Sequence, residues 1–343
     1  MLRENKQITE SLKENQVSEI ANVIKNLKNE SHSIRGDYCG LKRSSLDGFL
    51  DRTKVLREDF KKMLGWPLVR SDEYTPKGKF EDIGEDEMGT VQRLNIDVGH
   101  GLTVAGLLFI PKHIKKAGLV IAQHGGLGTP ELISGFYGET DNYNDMVSRI
   151  RKKDVIVFAP QLLLWDENNY GITYDRIEAD KELKQLGSSI TAIEIYKLIK
   201  SISLLITLEN VEQDKIAMIG LSYGGFYTLF TAAIDTRIKA ALSSCFINDR
   251  LKYNWPDWTW FNSANTFLDY EIASLILPRA FYAEIATDDE LFDFKDGRKV
   301  LDKICILYDS FGLKNFKAGC FNGVHEFCKN DGGIDFVIEH LNK

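Results

Sequence analysis

The chain has 343 residues, 43% hydrophobic and 27% charged, which is the composition of an ordinary globular protein with a large core. Its formal charge of -7 comes with no basic stripe, so nucleic acid is not an expected partner. The first twenty residues lack the apolar stretch of a signal peptide, no run is long enough to span a bilayer, and the 5 scattered cysteines read as free thiols, so a cytoplasmic protein is expected.

Residues 1 to about 75 are polar and helical in pattern. The stretch "SLDGFLDRTKVLREDFKKMLGW" starts at a capping Ser45, spaces Leu and Phe as a helix does, and stops before Pro67. A helical extension over 1–80, packed on the main domain, is the expectation. The acidic "EDIGEDEMG" at 81–89 reads as a solvated loop ahead of a catalytic domain over 90–343.

From residue 90 the pattern changes. "TVQRLNIDV" and "LTVAGLLFI" flank "GHG" as a β-hairpin with His100 in its turn. A buried strand "GLVIAQ", a helix near 140–152, a strand "VIVFAP", a long loop and one helix over about 178–208 follow. Then come the strand "KIAMIG", a helix after Ser222, the strand "IKAALSSCF", an aromatic insert over 248–277, the strand "AFYAEIA", a helix, the strand "FKAGCF" and a terminal helix. Strands alternating with helices predict an α/β fold: a mostly parallel central sheet with helices on both faces.

Four stretches carry chemistry. Gly220-Leu221-Ser222-Tyr223-Gly224 fits G-x-S-x-G, a tight turn from strand to helix that exposes a serine. Upstream, His124-Gly125-Gly126 ends a predicted strand, where small residues let main-chain N–H groups face a developing oxyanion. Gly126 is the expected donor there, with the N–H of Tyr223 as the second and His124 as a structural brace. Downstream, "EIATDDELF" ends a strand in Asp288 and Asp289, either of which could orient an imidazole or cap a helix. His325, on a Gly-bearing loop after the last strand, completes the order Ser, Asp, His, with Glu326 and Phe327 bracing that loop. His325 and Cys328 are spaced like two ligands of a metal site, but with no second pair no metal is expected.

Together these stretches resemble the α/β-hydrolase superfamily, and within it bacterial acetyl-xylan-esterase-like and dienelactone-hydrolase-like serine esterases with an N-terminal helical extension. The resemblance spans 90–343 and, less specifically, "REDFKKMLGWP" at 57–67. It implies the α/β-hydrolase fold, a small-molecule ester substrate, no cofactor, and a triad of Ser222, Asp289 and His325. Matching Leu291 and Phe292 to the family's ending of the acid loop is what selects Asp289, although Ala286 and Glu290 stand where relatives carry glycine and proline. Dienelactone hydrolases proper use a cysteine nucleophile, and Ser222 argues against that activity. A prolyl-oligopeptidase-like peptidase and a non-catalytic receptor are the competing readings. In the insert, Trp255, Trp258 and Trp260 are candidate substrate-binding residues, as are Trp165 and Tyr170 in the loop at 162–175; each could instead only staple its loop.

Overall fold

The computed structural model describes residues 3–41, 45–70, 73–165 and 172–343. Tyr170 therefore lies outside the described residues. Two helices lead: α1 (Lys6–Cys39) and α2 (Leu46–Leu64). In α2 the Ser45 side chain accepts from the Gly48 N–H at 3.2 Å, and Phe49, Thr53, Leu56, Phe60 and Leu64 form one buried stripe. That stripe fastens α2 to the body, and Arg57 reinforces it by donating to the carbonyls of Ala233 and Leu275. α1 packs through its last third, where Ser31, Arg35 and Cys39 are buried and Tyr38 is half-buried, and its first two thirds are exposed.

A nine-stranded sheet follows in the order β1-β2-β3-β5-β4-β6-β7-β8-β9. β1 (Lys77–Asp86), β2 (Gly89–Gly99) and β3 (Leu102–Pro111) form an antiparallel meander that joins β5 (Ile156–Pro160). β5, β4 (Ala117–Gln123), β6 (Val211–Leu221), β7 (Ile238–Ser244), β8 (Ala280–Ala286) and β9 (Phe316–Phe321) run parallel. The acidic stretch expected to be a loop is thus mostly β1. Every residue of β1 is exposed, because an edge strand with two wet faces has no hydrophobic alternation to betray it, and its charges discourage edge pairing.

The parallel strands alternate. Leu119 and Ile121 of β4, with Ile216 and Met218 of β6, face one core, under α2, α6 (Ile190–Leu205), α7 (Tyr223–Ile234) and α9 (Phe294–Ser310). Val120, Ala122, Ala217 and Ile219 face the other, under α3 (Pro130–Ile133), α4 (Met146–Arg151) and α10 (Gly332–Leu341). Both faces are covered, as expected of an α/β fold.

Two helix expectations need correction. The single helix over 178–208 is two, α5 (Arg176–Gln185) and α6, because Gly187 takes a φ of 78° and Ser189 starts a new helix by accepting from the Ala192 N–H at 3.0 Å. The helix near 140–152 is only α4, preceded by a 3-10 turn at Asp141–Tyr143, since Asn144 and Asp145 both have positive φ. α8 (Asp269–Ser274) closes the insert. Because β4 lies between β5 and β6, the strand order reverses beside it, and the crevice at the carboxyl ends of β4 and β6 is where such sheets hold ligands.

Candidate active site

β6 turns into α7 through Ser222, whose φ of 58° and ψ of -120° are strained for a residue with a Cβ. The surroundings enforce the turn. A Cβ on Gly220 would come within 2.4 Å of Gly224 main-chain atoms, and one on Gly224 within 2.3 Å of the Gln123 carbonyl. Strand and helix therefore meet at main-chain contact, and only glycine fits at either position. The Ser222 N–H donates to the Ser244 carbonyl at 2.9 Å, which ties the bend to β7. Tyr223 opens α7, so its N–H has no carbonyl one turn back.

The loop after β4 faces this turn. The N–H groups of Gly125, Leu127 and Gly128 donate to Tyr143 Oη at 2.8 Å, the Leu164 carbonyl at 2.8 Å and the Gly125 carbonyl at 3.3 Å. None of these bonds engages the Gly126 N–H. A Cβ on Gly126 would lie 3.5 Å from the Tyr223 ring, so the two expected donors are neighbours. His124 is the expected brace: fully buried, it donates from Nδ1 to the Gly125 carbonyl at 2.8 Å and accepts at Nε2 from the Leu162 N–H at 2.9 Å. Burial lowers its pKa to about 4, so it stays neutral.

The acid and the histidine meet where the chain order requires. His325 Nδ1 lies 2.9 Å from Asp289 Oδ2, while Asp289 Oδ1 accepts from the N–H groups of Leu291 at 2.9 Å and Phe292 at 3.0 Å. Those two bonds fix the carboxylate. Asp288 instead accepts from Thr287 Oγ1 at 2.8 Å and is exposed. His325 Nε2 is buried and has no hydrogen-bond partner, Ser222 Oγ included. In substrate-free sites the bond from serine to histidine is often long and tightens on binding.

The histidine loop is held by residues that sequence reasoning missed. Asn142 Nδ2 donates to the His325 carbonyl, Asn144 Nδ2 to Glu326 Oε2 and the Phe327 carbonyl, and Arg149 to the Cys328 and Asn330 carbonyls and Asp331. Cys245 sits beside the pair, with Cys245, Asp289 and His325 offering ligand atoms within 4.8 Å of one another. The Cys245 proton is committed elsewhere: its Sγ donates to the Glu326 carbonyl at 3.3 Å, and burial raises its pKa well above the usual thiol range. Cys328 Sγ, the other expected neighbour of His325, accepts from Asn330 Nδ2.

No family model matches the chain. A Bacillus subtilis (strain 168) protein named "Putative hydrolase YtaP" is 27% identical over 259 residues, which are 71% of this chain and 83% of that one. The solved structure of "a putative acetyl xylan esterase" from Bacteroides fragilis NCTC 9343 superposes with a TM-score of 0.67 at 16% identity, over 89% of this chain and 86% of that one. A glucuronoyl esterase from Solibacter usitatus superposes at 0.61 with 12% identity, over 85% of this chain and 91% of that one. The chain has the α/β-hydrolase fold.

On this fold the aromatic insert divides into a buried layer and an exposed rim. Trp258 is 1% exposed and packs against Phe226, Phe246 and Phe292, with Trp255 stacked on it at 4.3 Å. Trp258 therefore cannot offer a face to a ligand, because the rings around it already cover it. Trp255 is 39% exposed and lies 6.2 Å from the Tyr223 ring, and Phe292 beneath it is 5.6 Å from the His325 ring. Trp260 packs instead on Phe230 and under Lys184 Nζ, with no ring contact to the triad candidates. Trp165 is half-buried against Tyr174, next to Leu164, whose carbonyl anchors the Gly126 loop.

The insert is clamped to the serine turn by a buried charge pair. Asp257 Oδ2 accepts from Tyr223 Oη at 2.9 Å and from Arg176 Nε at 2.8 Å, and Arg176 also donates to Tyr227 Oη at 2.7 Å and the Leu163 carbonyl at 3.0 Å. The only sequence signal was an acid between two tryptophans. Its partner, Arg176, stands 81 residues away along the chain.

Proposed function

We propose that this chain is a serine hydrolase of carboxylic esters acting through an acyl-enzyme. Ser222 Oγ attacks the ester carbonyl as its proton passes to His325 Nε2, and Asp289 holds the imidazolium through Nδ1. The N–H groups of Tyr223 and Gly126 receive the tetrahedral oxyanion. His325 then protonates the departing alcohol, and a water activated by the same nitrogen releases the acid and restores Ser222. Side chains and main chain carry every step.

The observation that carries this reading is the 2.9 Å bond from His325 Nδ1 to Asp289, behind a strained serine ringed by glycines. It leaves Nε2 buried, unpartnered and available to the serine. We assign this chemistry to residues 90–343 and treat 1–80 as an appended segment, helical in α1 and α2 and ending in the first residues of β1. A small ester, such as the acetyl ester of a carbohydrate, suits the half-exposed Trp255 and the names of the structural neighbours. The five free cysteines suit a reducing cytoplasm.

The test is turnover of p-nitrophenyl acetate, acetylated xylo-oligosaccharide and an aminoacyl-p-nitroanilide by the purified chain and by Ser222→Ala. The proposal expects ester cleavage without anilide cleavage, and a loss of about a thousandfold or more in kcat for a folded Ser222→Ala. Undiminished ester turnover by that variant, or preference for the anilide, would overturn it.

A further inference from the structure

The outer two thirds of α1 serve no part of the hydrolase. This 34-residue helix is about 50 Å long at 1.5 Å per residue, and it touches the body only near its end. There Lys28 Nζ donates to the Leu251 carbonyl, Arg35 pairs with Glu271, and the helix meets the turn at Ser263–Asn265. From the projecting part into the docked end, Val17, Ile20, Ile24, Leu27, Ser31 and Ile34 alternate three- and four-residue steps, the spacing of a coiled-coil seam. All but Ser31 are apolar, and these five are between 46% (Ile34) and 71% (Val17) exposed. Apolar residues in a continuous line on a soluble surface mark a contact. Ile8 and Leu12 lie off this line.

The charges beside the seam say what covers it. In seam register, Glu14, Ala21 and Lys28 occupy one flank at seven-residue spacing. If a second copy of α1 runs antiparallel about a two-fold axis near Ala21, Val17 meets the second copy's Leu27 and Ile20 meets its Ile24. Glu14 then faces Lys28 of the second copy, twice by symmetry, and Ala21 faces Ala21 at the axis, where close approach needs a small side chain. Val23 meets its own counterpart on the other flank. A parallel pair has none of this complementarity: it sets Val23 beside Lys28, and Glu30 opposite an Arg35 already buried against Glu271.

The antiparallel arrangement also suits the rest of the chain. It lays the second copy's free amino-terminal half along the hollow of about 210 Å³ between α1 and the insert, lined by Ile24, Leu27, Ile34 and Ala264. A membrane surface fits less well. Residues 6–30 carry Lys6, Lys13, Lys25 and Lys28 against Glu10, Glu14, Glu19 and Glu30, so the helix is neutral and has no cationic face for anionic lipid.

We infer that α1 is a self-association element through which two copies of this chain form an antiparallel helix pair. The seam is short, so the dimer dissociates on dilution, and the triad of each copy is complete without its partner.

Sedimentation equilibrium of the full chain tests this. At tens of micromolar the mass should approach twice 39.0 kDa. Ile24→Asp should give a monomer with unchanged helicity and unchanged ester turnover. Glu14→Lys and Lys28→Glu should each weaken the dimer several-fold, and the double variant should restore it, which only the antiparallel register explains. A monomer at every concentration would overturn the inference. So would a dimer indifferent to Ile24→Asp, single charge swaps that the double variant does not rescue, or a monomer that sediments with anionic phosphatidylserine vesicles.

Discussion

Glu284 on β8 is fully enclosed by the fold, and burial raises its pKa from 4.5 to about 7 against the smaller opposing effects of the Ser244 hydroxyl, the Cys328 N–H and Arg149. Its Oε1 accepts from Ser244 Oγ at 2.7 Å and from the Cys328 N–H at 3.4 Å, so it sits beneath both the serine turn and the histidine loop. Below pH 4.5 the carboxyl is neutral whether the chain is folded or not, and its protonation does not bias folding. Between 4.5 and about 7 the unfolded chain releases the proton while the folded chain keeps it, so stability falls as pH rises. At about 1.4 kcal/mol per pH unit the loss amounts to about 3 kcal/mol, complete above the folded value. Glu284→Gln keeps the size and an acceptor oxygen but cannot ionise. In urea unfolding followed by tryptophan fluorescence from pH 4 to 8.5, the stability of the variant relative to the parent should climb by about that amount and then level off. Parallel stability profiles, or a difference of the opposite sign, would refute the reasoning.

Asp289→Asn should lower kcat by orders of magnitude, because an amide cannot stabilise the imidazolium, whereas Asp288→Asn should leave it nearly unchanged. Steady-state kinetics of the two variants decide this, and the reverse ranking would show the wrong acid. Trp258→Ala removes a core ring and should cost about 3–5 kcal/mol of stability, seen as a lowered Tm. Trp255→Ala should instead shift the kcat/KM ratio between acetyl and longer acyl esters with little change in Tm; an unchanged ratio would remove Trp255 from the substrate path.

Much of the site was legible because the turn leaves local marks. Gly220, Ser222 and Gly224 lie within five residues, and the two glycines are forced, because a Cβ on either would come within 2.4 Å or 2.3 Å of main-chain atoms. Asp289 and His325 could be read from the ends of two apolar strands. What holds those residues was not legible, since Asn142, Arg149, Arg176 and Asp257 act through partners 34 to 183 residues away and follow no periodicity. The tryptophans of the insert have the same composition whether buried or exposed, and only packing against Phe226 and Phe246 separates Trp258 from Trp255. β1 escaped notice because an edge strand exposed on both faces has no alternation. The exposure of α1 escaped because a helix carries the same 3.6-residue pattern whether it docks on its own body or on another chain.

The central claim is that Ser222 is a nucleophile activated by His325. It is tested most directly by reacting the purified chain with a fluorophosphonate and locating the adduct by mass spectrometry of its peptides. The account predicts one phosphonyl group per chain, on Ser222, with labelling slowed by orders of magnitude in His325→Ala and Asp289→Asn. A folded parent chain that resists the reagent, or an adduct on any other residue, would contradict it.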